Sequence, residues 1–396
     1  MNVYEALMHD LADVSTLVPS DRLSTLLCDF IVAARAGKLA HQTENRMRSS
    51  IAGQLAINSS FQDRDDIDWS VMTHPGSIIW PALFEVAFTY PDRISKFTDA
   101  ALSGYRTSAS IAAAFGATHR VNWHVSTTAG TLAAASASSV YLGLSSDQHV
   151  TALLSAASNM GGIARADRRT GAAMFNRAAA ASLGILATES AASNIPSATD
   201  IWTGSRSLIE IFALSTSDNK HEIRLGTDTS GLRLFPYNGF VHGAVHGVCN
   251  LRRQLSGDLI SLKVGLTKSA IGILDGSVGG DYWNAAHSVA SAWQGADEFV
   301  RAEVRPEILA KVEIYGTDIP FGGAVIEATT DTGQQSREIR TAPGTAFSDP
   351  AHLAWQEQKW ESLIGSKTAQ AKELTELLLG SAPTAKAVEE AKSFLL

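Results

Sequence analysis

The sequence predicts a mainly α-helical protein in which a large all-helical domain, made from both ends of the chain, carries a smaller inserted α+β domain. Apolar residues recur at helical spacing over most of the first 227 residues, and this pattern returns after residue 350. Runs of β-branched and aromatic residues, which are typical of strands, lie between these two regions. We therefore expect a helical domain at 1–227 and 350–396 and an α+β domain at 228–349.

The helical part begins with an apolar stripe from Leu23 to Ala34, for which Ser20 and Asp21 are candidate N-terminal caps. The later segments of this part are rich in Ala, and small residues let helix axes approach closely. We expect these segments to be the inner helices, with glycines such as Gly184 near the ends of elements. The expected helices are 81–88, 97–115, 127–144, 172–192, 353–364 and 369–379.

The inserted part mixes short strands with helices, and its size of roughly a hundred residues is usual for a domain. The expected strands are 299–304, 311–315 and 324–329, and the expected helices are 241–254, 263–274 and 282–293.

Composition excludes several classes of protein. The chain has 396 residues, 32 of them basic and 40 acidic, and the net charge of -8 argues against a nucleic-acid surface. Cys28 and Cys249 are too few for a disulfide framework or a Cys-based zinc site. The acidic N-terminus does not resemble a secretory signal, and the weakly polar run at 128–144 is short for a membrane span. We expect a soluble cytoplasmic protein with no membrane or nucleic-acid partner.

The stretch DRDDIDWSVMTHPGSIIWP, from Asp63 to Pro81, is the first candidate site. It concentrates four carboxylates, those of Asp63, Asp65, Asp66 and Asp68, and places His74 before a Pro-Gly-Ser turn. Taken alone, such a charge run is typical of a solvated loop. The apolar residues that follow predict a buried helix, however, and an acidic loop packed against that helix could form the wall of a pocket.

Two further segments carry polar groups that a core would not select. His124 opens an Ala-rich helix, where it is either a general base or hydrogen-bond donor or, on its own, more simply a core or capping histidine. The arginines at 165–169, reinforced by Arg177, would bind carboxylates or form an exposed basic loop. The arginines concerned are Arg165, Arg168, Arg169 and Arg177.

The segment PYNGFVHGAVH places His242 and His246 on one helix face. No Glu follows His242 in the metalloprotease arrangement and no third ligand is evident, so we expect no metal here. A hydrogen-bonding role for His242, with Asn238 beside it, is the better interpretation. Phosphate-loop and dinucleotide motifs are absent, so no nucleotide is expected.

The ordered set of motifs resembles the MmgE/PrpD family. The matching stretches cover most of the chain and are DRDDIDWSVMTHPGSIIWPAL, GYRTSASIAAAFG, HVSTTAGTLAAASASSVYLGLSSDQ, ASNMGG, LGILATESAASN, FPYNGFVHGAVH and WNAAHSVASAWQGADEF. The family includes 2-methylcitrate dehydratase, cis-aconitate decarboxylase and iminodisuccinate epimerase. The resemblance implies an all-helical domain of two chain segments, an inserted α+β lid, a homodimer, and no required metal or organic cofactor.

Carried over by position, the resemblance implies an acid/base pair formed by Asp63, or Asp65 and Asp66, with His74. It places His124 beside bound carboxylate groups, and it assigns Asn238 and His242 to the entrance of the lid. The sequence departs from the family in two places. GAAMFNR lacks the Lys that the family often has before the helix near Ala178, for which Arg169 or Arg177 is the candidate replacement. Ile67-Asp68 stands where a Thr usually follows the paired Asp, so the transfer within the acidic loop is ambiguous by one position.

The leading hypothesis is a metal-independent acid/base lyase that dehydrates a citrate-like di- or tricarboxylic hydroxy acid, in the manner of 2-methylcitrate dehydratase. Decarboxylation or epimerisation of a related carboxylate is the alternative within the family. A non-catalytic relative that binds carboxylates is the alternative from another class.

Overall fold

The computed structural model describes residues 2–41, 50–164, 172–215, 222–277, 280–295, 297–341, 343–344 and 350–396. Helices predominate, so the prediction of a mainly α-helical protein is confirmed. The chain divides into two compact units, each formed by more than one segment. The first unit comprises Met1–Phe61, Asp65–Gly231 and Ile364–Leu396, and the second comprises Gln62–Arg64 and Leu232–Leu363.

In the described part of the first unit, the regular structure is helical apart from one short antiparallel ribbon, in which β1 pairs with β2. Its α-helices are α1 (Val3–Ala12), α2 (Arg22–His41), α3 (Ile51–Ser59), α4 (Gly76–Thr89), α5 (Phe97–Asn122), α6 (Val125–Leu142), α7 (Ser146–Asn159), α8 (Ala172–Ala192) and α9 (Leu208–Ile211). The ribbon strands are β1 (Ile67–Asp68) and β2 (Ser230–Gly231). Short 3-10 helices lie at Val14–Thr16, Pro91–Lys96 and Gly365–Lys367.

The second unit contains a four-stranded sheet in the order β4-β3-β5-β6. β3 pairs with β4 in parallel, and the other two pairings are antiparallel. The strands are β3 (Leu259–Thr267), β4 (Val312–Thr317), β5 (Ala324–Thr330) and β6 (Gly333–Ile339). The helices are α10 (His242–Gln254), α11 (Lys268–Ile271), α12 (Ala285–Gln294), α13 (Pro306–Leu309) and α14 (Pro350–Ile364), with 3-10 turns at Gly239–Val241 and Gly280–Trp283. The chain ends in α15 (Thr368–Leu379) and α16 (Ala385–Leu395), and the 3-10 turn Phe61–Asp63 precedes β1.

The close approach of α8 to α6 explains the Ala-rich composition of both helices. A Cβ atom added to Gly184 would lie 2.5 Å from the Cβ of Ala134 and 2.7 Å from the backbone nitrogen of Ala135. Such distances exclude any larger residue, so Gly184 lies in the middle of α8, and the expectation that it marks the end of an element is wrong. In the same way, a Cβ atom added to Gly130 of α6 would lie 2.5 Å from Cδ1 of Ile78 in α4. These contacts hold α4, α6 and α8 together, and the candidate site lies beside them.

The helices expected from the sequence of the first unit are confirmed, as are the strands at 311–315 and 324–329. The helix expected at 263–274 is wrong, because its first residues continue β3. Leu262, Val264 and Leu266 are buried at every second position, which is the period of a strand. The strand expected at 299–304 is also wrong, since this segment has no regular structure. β6 was missed because its residues are polar and exposed, and no apolar alternation marks it.

No helix in the described part of the chain combines the length and the apolar character that are needed to cross a membrane.

Candidate active site

The acidic loop before α4 is folded by its own aspartates and is not a solvated charge run. Asp65, Asp66 and Asp68 are buried, with at most 4% of each residue exposed. Asp68 Oδ1 accepts hydrogen bonds from the backbone and the hydroxyl of Ser70, and Oδ2 accepts one from the Thr229 hydroxyl. Burial raises the pKa of Asp68, and these bonds oppose the rise. Asp68 therefore closes the turn and anchors it to the segment that forms β2.

Asp66 is also buried and contacts two other elements. Its Oδ1 accepts the backbone N–H of Gly76 at 2.8 Å, and its Oδ2 accepts the hydroxyl of Tyr105 at 2.8 Å. Burial and, next to it, the charge of the neighbouring Asp65 raise the pKa of Asp66 to about 7, although the bonds from Tyr105 and Gly76 lower it. A Cβ on residue 76 would lie 2.7 Å from Oδ1, so the close approach of the carboxylate requires glycine at the start of α4.

His74 is held by the loop through both its ring and its backbone. Ring nitrogen Nδ1 lies 2.9 Å from the backbone carbonyl oxygen of Asp66, and the backbone N–H donates to the Ser126 hydroxyl at 3.2 Å. Because a carbonyl oxygen can only accept, Nδ1 carries the proton, and the lone pair of the neutral ring is on Nε2. The His74 side chain is 15% exposed, so it is the accessible group of the cluster.

Asp65 links His74 to Arg177 of α8. Its Oδ2 lies 3.6 Å from His74 Nδ1 and 3.4 Å from Arg177 Nη1. The side chains of Asp65 and Arg177 are 2% and 3% exposed, and such buried charges require one another. The carboxylate is therefore placed where it can stabilise a proton on His74, and the guanidinium balances it when His74 is neutral.

His124 forms the N-cap position of α6, two residues before the Ser126 that contacts His74. Its backbone N–H donates to the carbonyl of Gly162 at 2.8 Å, and its Nδ1 hydrogen bonds with the Thr127 hydroxyl. The start of α6 thus lies beside His74. The structure brings together Asp65, Asp66, His74, Arg177 and the first turn of α6, all within the first unit.

The remaining candidates belong to the second unit or lie outside the described residues. Asp63 belongs to the second unit, where its Oδ1 lies 2.8 Å from Arg233 Nη1. In that unit Asn238 caps the following turn by accepting the N–H of Phe240, and His242 Nε2 donates to the carbonyl of Tyr237. Arg165, Arg168 and Arg169 lie outside the described residues. Among the residues described, no group of three or more His, Cys, Asp or Glu side chains could hold a metal ion.

Sequence reasoning missed Tyr105 and Arg233. Tyr105 lies within the stretch GYRTSASIAAAFG, in the middle of a helix, where an aromatic residue is expected simply to pack. What distinguishes Tyr105 is that its polar group is completely buried, and burial is known only from the structure. Arg233 precedes the PYNGF segment by three residues and carries no motif of its own.

The first unit is thus a helical domain in which two buried carboxylates, a buried arginine and a partly exposed histidine lie together. Residues 49–220 match the family model described as the MmgE/PrpD N-terminal domain, which includes this cluster. Residues 49–220 therefore form a domain of the MmgE/PrpD N-terminal type. No curated protein matches the chain. This domain supports an enzyme of the lyase type that acts on a carboxylate.

Proposed function

We propose that the protein is a cofactor-independent hydro-lyase that dehydrates a small, citrate-like di- or tricarboxylic hydroxy acid. The observation that carries the proposal is the contact of His74 Nδ1 with the carbonyl oxygen of Asp66, at 2.9 Å, beside the carboxylate of Asp65. It leaves Nε2 as the basic nitrogen on the more exposed side chain of the cluster, and it supplies a negative charge for the imidazolium that forms when a proton is taken.

In the proposed reaction, His74 Nε2 removes a proton from the carbon next to a substrate carboxylate. The electrons of the broken C–H bond form the C=C bond, and the C–O bond to the neighbouring hydroxyl group breaks. The departing oxygen takes a proton from an acid, for which His124, Asp63 and Asp66 are the candidates, and leaves as water, while Asp65 stays ionised beside His74. General acid–base catalysis contributes on the order of 10²–10⁴-fold, so binding of the carboxylates must supply the rest.

The proposed carboxylate-binding groups are arginines and hydrogen-bond donors. Arg177 is the described arginine of the cluster, and we propose it in place of the family Lys because its guanidinium lies beside the acid/base residues, 3.4 Å from Asp65 Oδ2. Arg165, Arg168 and Arg169 are proposed from the basic character of their segment, and Asn238 and His242 on the family resemblance. The resemblance also supports a lid role for the second unit and a homodimer, which sedimentation equilibrium tests.

Proton NMR in deuterated water tests the reaction directly, with 2-methylcitrate, cis-aconitate and iminodisuccinate as substrates. The proposal predicts alkene formation from the hydroxy acid, with loss of the signal in the His74→Gln variant. Release of carbon dioxide would indicate a decarboxylase in place of the proposed hydro-lyase. Entry of deuterium without net conversion would indicate an epimerase or isomerase. Calorimetric binding of these acids without exchange or conversion of any of them would indicate a carboxylate-binding protein.

A further inference from the structure

The hydroxyl of Tyr105 joins α5 and α4 to the acidic loop. It donates to Asp66 Oδ2 at 2.8 Å, and it receives the indole N–H of Trp80 at 3.0 Å. An indole nitrogen can only donate, so the Tyr105 oxygen must accept from Trp80, and its own hydrogen is directed to Asp66. The direction of this chain of hydrogen bonds is therefore fixed by the chemistry of its first member.

Asp66 connects this chain of hydrogen bonds to His74. Its two carboxylate oxygens are bound by Tyr105 and by the Gly76 N–H, while its backbone carbonyl accepts the Nδ1–H of His74. The side chain is thus tied at both oxygens, and the carbonyl of the same residue selects the tautomer of the histidine. The charged groups that act on Asp66 are Asp65 of the same loop and Asp29 of α2.

Packing alone does not explain a tyrosine at this position. The ring of Tyr105 meets that of Trp80 edge to face, with centroids 5.9 Å apart, and a phenylalanine ring would make the same contact. What phenylalanine lacks is the hydroxyl group. The oxygen of this hydroxyl is fully buried with the residue, and its hydrogen-bond partners Trp80 Nε1 and Asp66 Oδ2 lie within 3.0 Å.

We propose that Tyr105 is a positioning residue that, through Asp66, holds His74 in the Nδ1–H form and so keeps Nε2 as its basic nitrogen. In this arrangement Asp66 also supports the histidine and does not touch the substrate, which leaves Asp63 and Asp65 as the aspartates that could. The consequence for turnover rests on the proposed function, but the tautomer of His74 does not depend on any substrate.

The first test measures the tautomer directly, by long-range proton–nitrogen correlation on protein labelled with ¹⁵N-histidine. The His74 signals are assigned by their loss in His74→Gln. In the wild-type protein at neutral pH we expect the pattern of the Nδ1–H tautomer. In Tyr105→Phe we expect that pattern to be replaced by a mixture of tautomers or by the Nε2–H form.

Tyr141→Phe is the matched control. Tyr141 is equally buried in the same unit, and its hydroxyl donates to a backbone carbonyl, that of Tyr90, at 3.1 Å. This variant should leave the His74 signals unchanged. If Tyr105→Phe does not fold, Asp66→Asn gives the same test, because its amide would offer a hydrogen to a Tyr105 oxygen that already accepts one.

The second test is kinetic. Loss of alignment at a general base lowers turnover on the order of 10²-fold, so Tyr105→Phe should lower kcat by about that factor with KM little changed, and Tyr141→Phe should lower neither. Unchanged His74 signals in Tyr105→Phe would overturn the positioning role, as would a fall in kcat no larger than that of Tyr141→Phe. A wild-type protein that converts none of the acids would overturn the proposed function instead, and the nitrogen spectra would still decide the role of Tyr105.

Discussion

His74 and His242 have similar surroundings, but charges of opposite sign act on the two rings. Each ring is oriented by a backbone carbonyl, that of Asp66 for His74 and that of Tyr237 for His242. An aspartate–arginine pair is found in each unit, Asp65 with Arg177 in one and Asp63 with Arg233 in the other.

The difference is which member of the pair acts on the histidine. The carboxylate of Asp65 lies 3.6 Å from His74, whereas the charges that act on His242 are those of Arg233 and Lys359. Burial and, after it, the positive charges of Arg233 and Lys359 lower the pKa of His242 to about 3. His242 therefore stays neutral at every pH where the protein would work, and it can serve as a hydrogen-bonding group but not as a base. His74 has the surroundings of a group that exchanges a proton.

The largest expected effect follows from removing the base. His74→Gln keeps a hydrogen-bonding side chain of similar size but has no titratable nitrogen, so we expect kcat to fall by about 10²–10⁴-fold with the fold intact. Steady-state kinetics and circular dichroism check both statements. His9→Gln, a substitution of an exposed histidine on α1, should leave kcat unchanged. A His74→Gln variant with wild-type kcat would show that His74 is not the base and would contradict its contrast with His242.

The second largest effect concerns stability. Asp65→Asn and Arg177→Met each leave one buried charge without its partner, and each should lower the free energy of unfolding by about 3–5 kcal/mol. The double variant should cost less than the sum, because neither charge then remains unbalanced. Urea denaturation of the four proteins gives the coupling. In the other pair Asp63 is 18% exposed, so Asp63→Asn should cost less than Asp65→Asn. Equal costs would contradict the burial argument.

A smaller effect is expected at Gly76. Alanine at this position would place a methyl group 2.7 Å from Asp66 Oδ1, so either the carboxylate or the start of α4 must shift. We expect Gly76→Ala to lower the free energy of unfolding by about 1–3 kcal/mol and to lower kcat as well, since Asp66 orients His74. The control is Gly161→Ala, whose added methyl group would meet nothing within 4 Å. A Gly76→Ala variant with wild-type stability and kcat would show that the loop tolerates the shift.

The sequence predicted those parts of the fold that follow from local patterns. Helical spacing located the helices of the first unit, and small residues identified α6 and α8 as inner helices. β6 could not be predicted, because its exposed polar residues are held by their pairing with β5 and carry no signal of their own. The segment at 263–274 failed for a related reason: a strand that passes directly into a short helix mixes the two periods.

At the site, the sequence could supply His74 with its neighbouring aspartates because they lie within twelve positions of one another. It could single out Arg177 as a residue for binding carboxylates, but not its contact with Asp65, which is 112 positions away and depends on how α8 packs. Tyr105 was missed for the same reason. Residue type predicts which chemistry is possible, whereas long-range packing decides which charge faces which histidine.

The smallest expected effect tests the neutral state of His242. The unfolded chain takes up a proton on this histidine near its ordinary pKa of 6.5, but the folded chain takes it up only near pH 3. The unfolded state therefore binds more protons in between, and this group makes stability fall as the pH falls from 6.5 toward 3. Between pH 6.5 and 5.5 the loss is about 1 kcal/mol.

Asp66 acts in the opposite direction, since its pKa is raised to about 7 and its contribution to stability is lost as the pH rises from 3.8 toward 7. The two effects offset one another in the wild-type protein, so the test must compare variants. His242→Asn should lose about 1 kcal/mol less stability than the wild type over this interval, measured by urea denaturation at several pH values.

The control Tyr237→Phe removes a buried hydroxyl of the same unit, whose raised pKa keeps it from titrating in this range, and should keep the wild-type slope of stability against pH. An identical slope in His242→Asn would mean that His242 takes up its proton equally in both states, and the contrast with His74 would then rest on geometry alone.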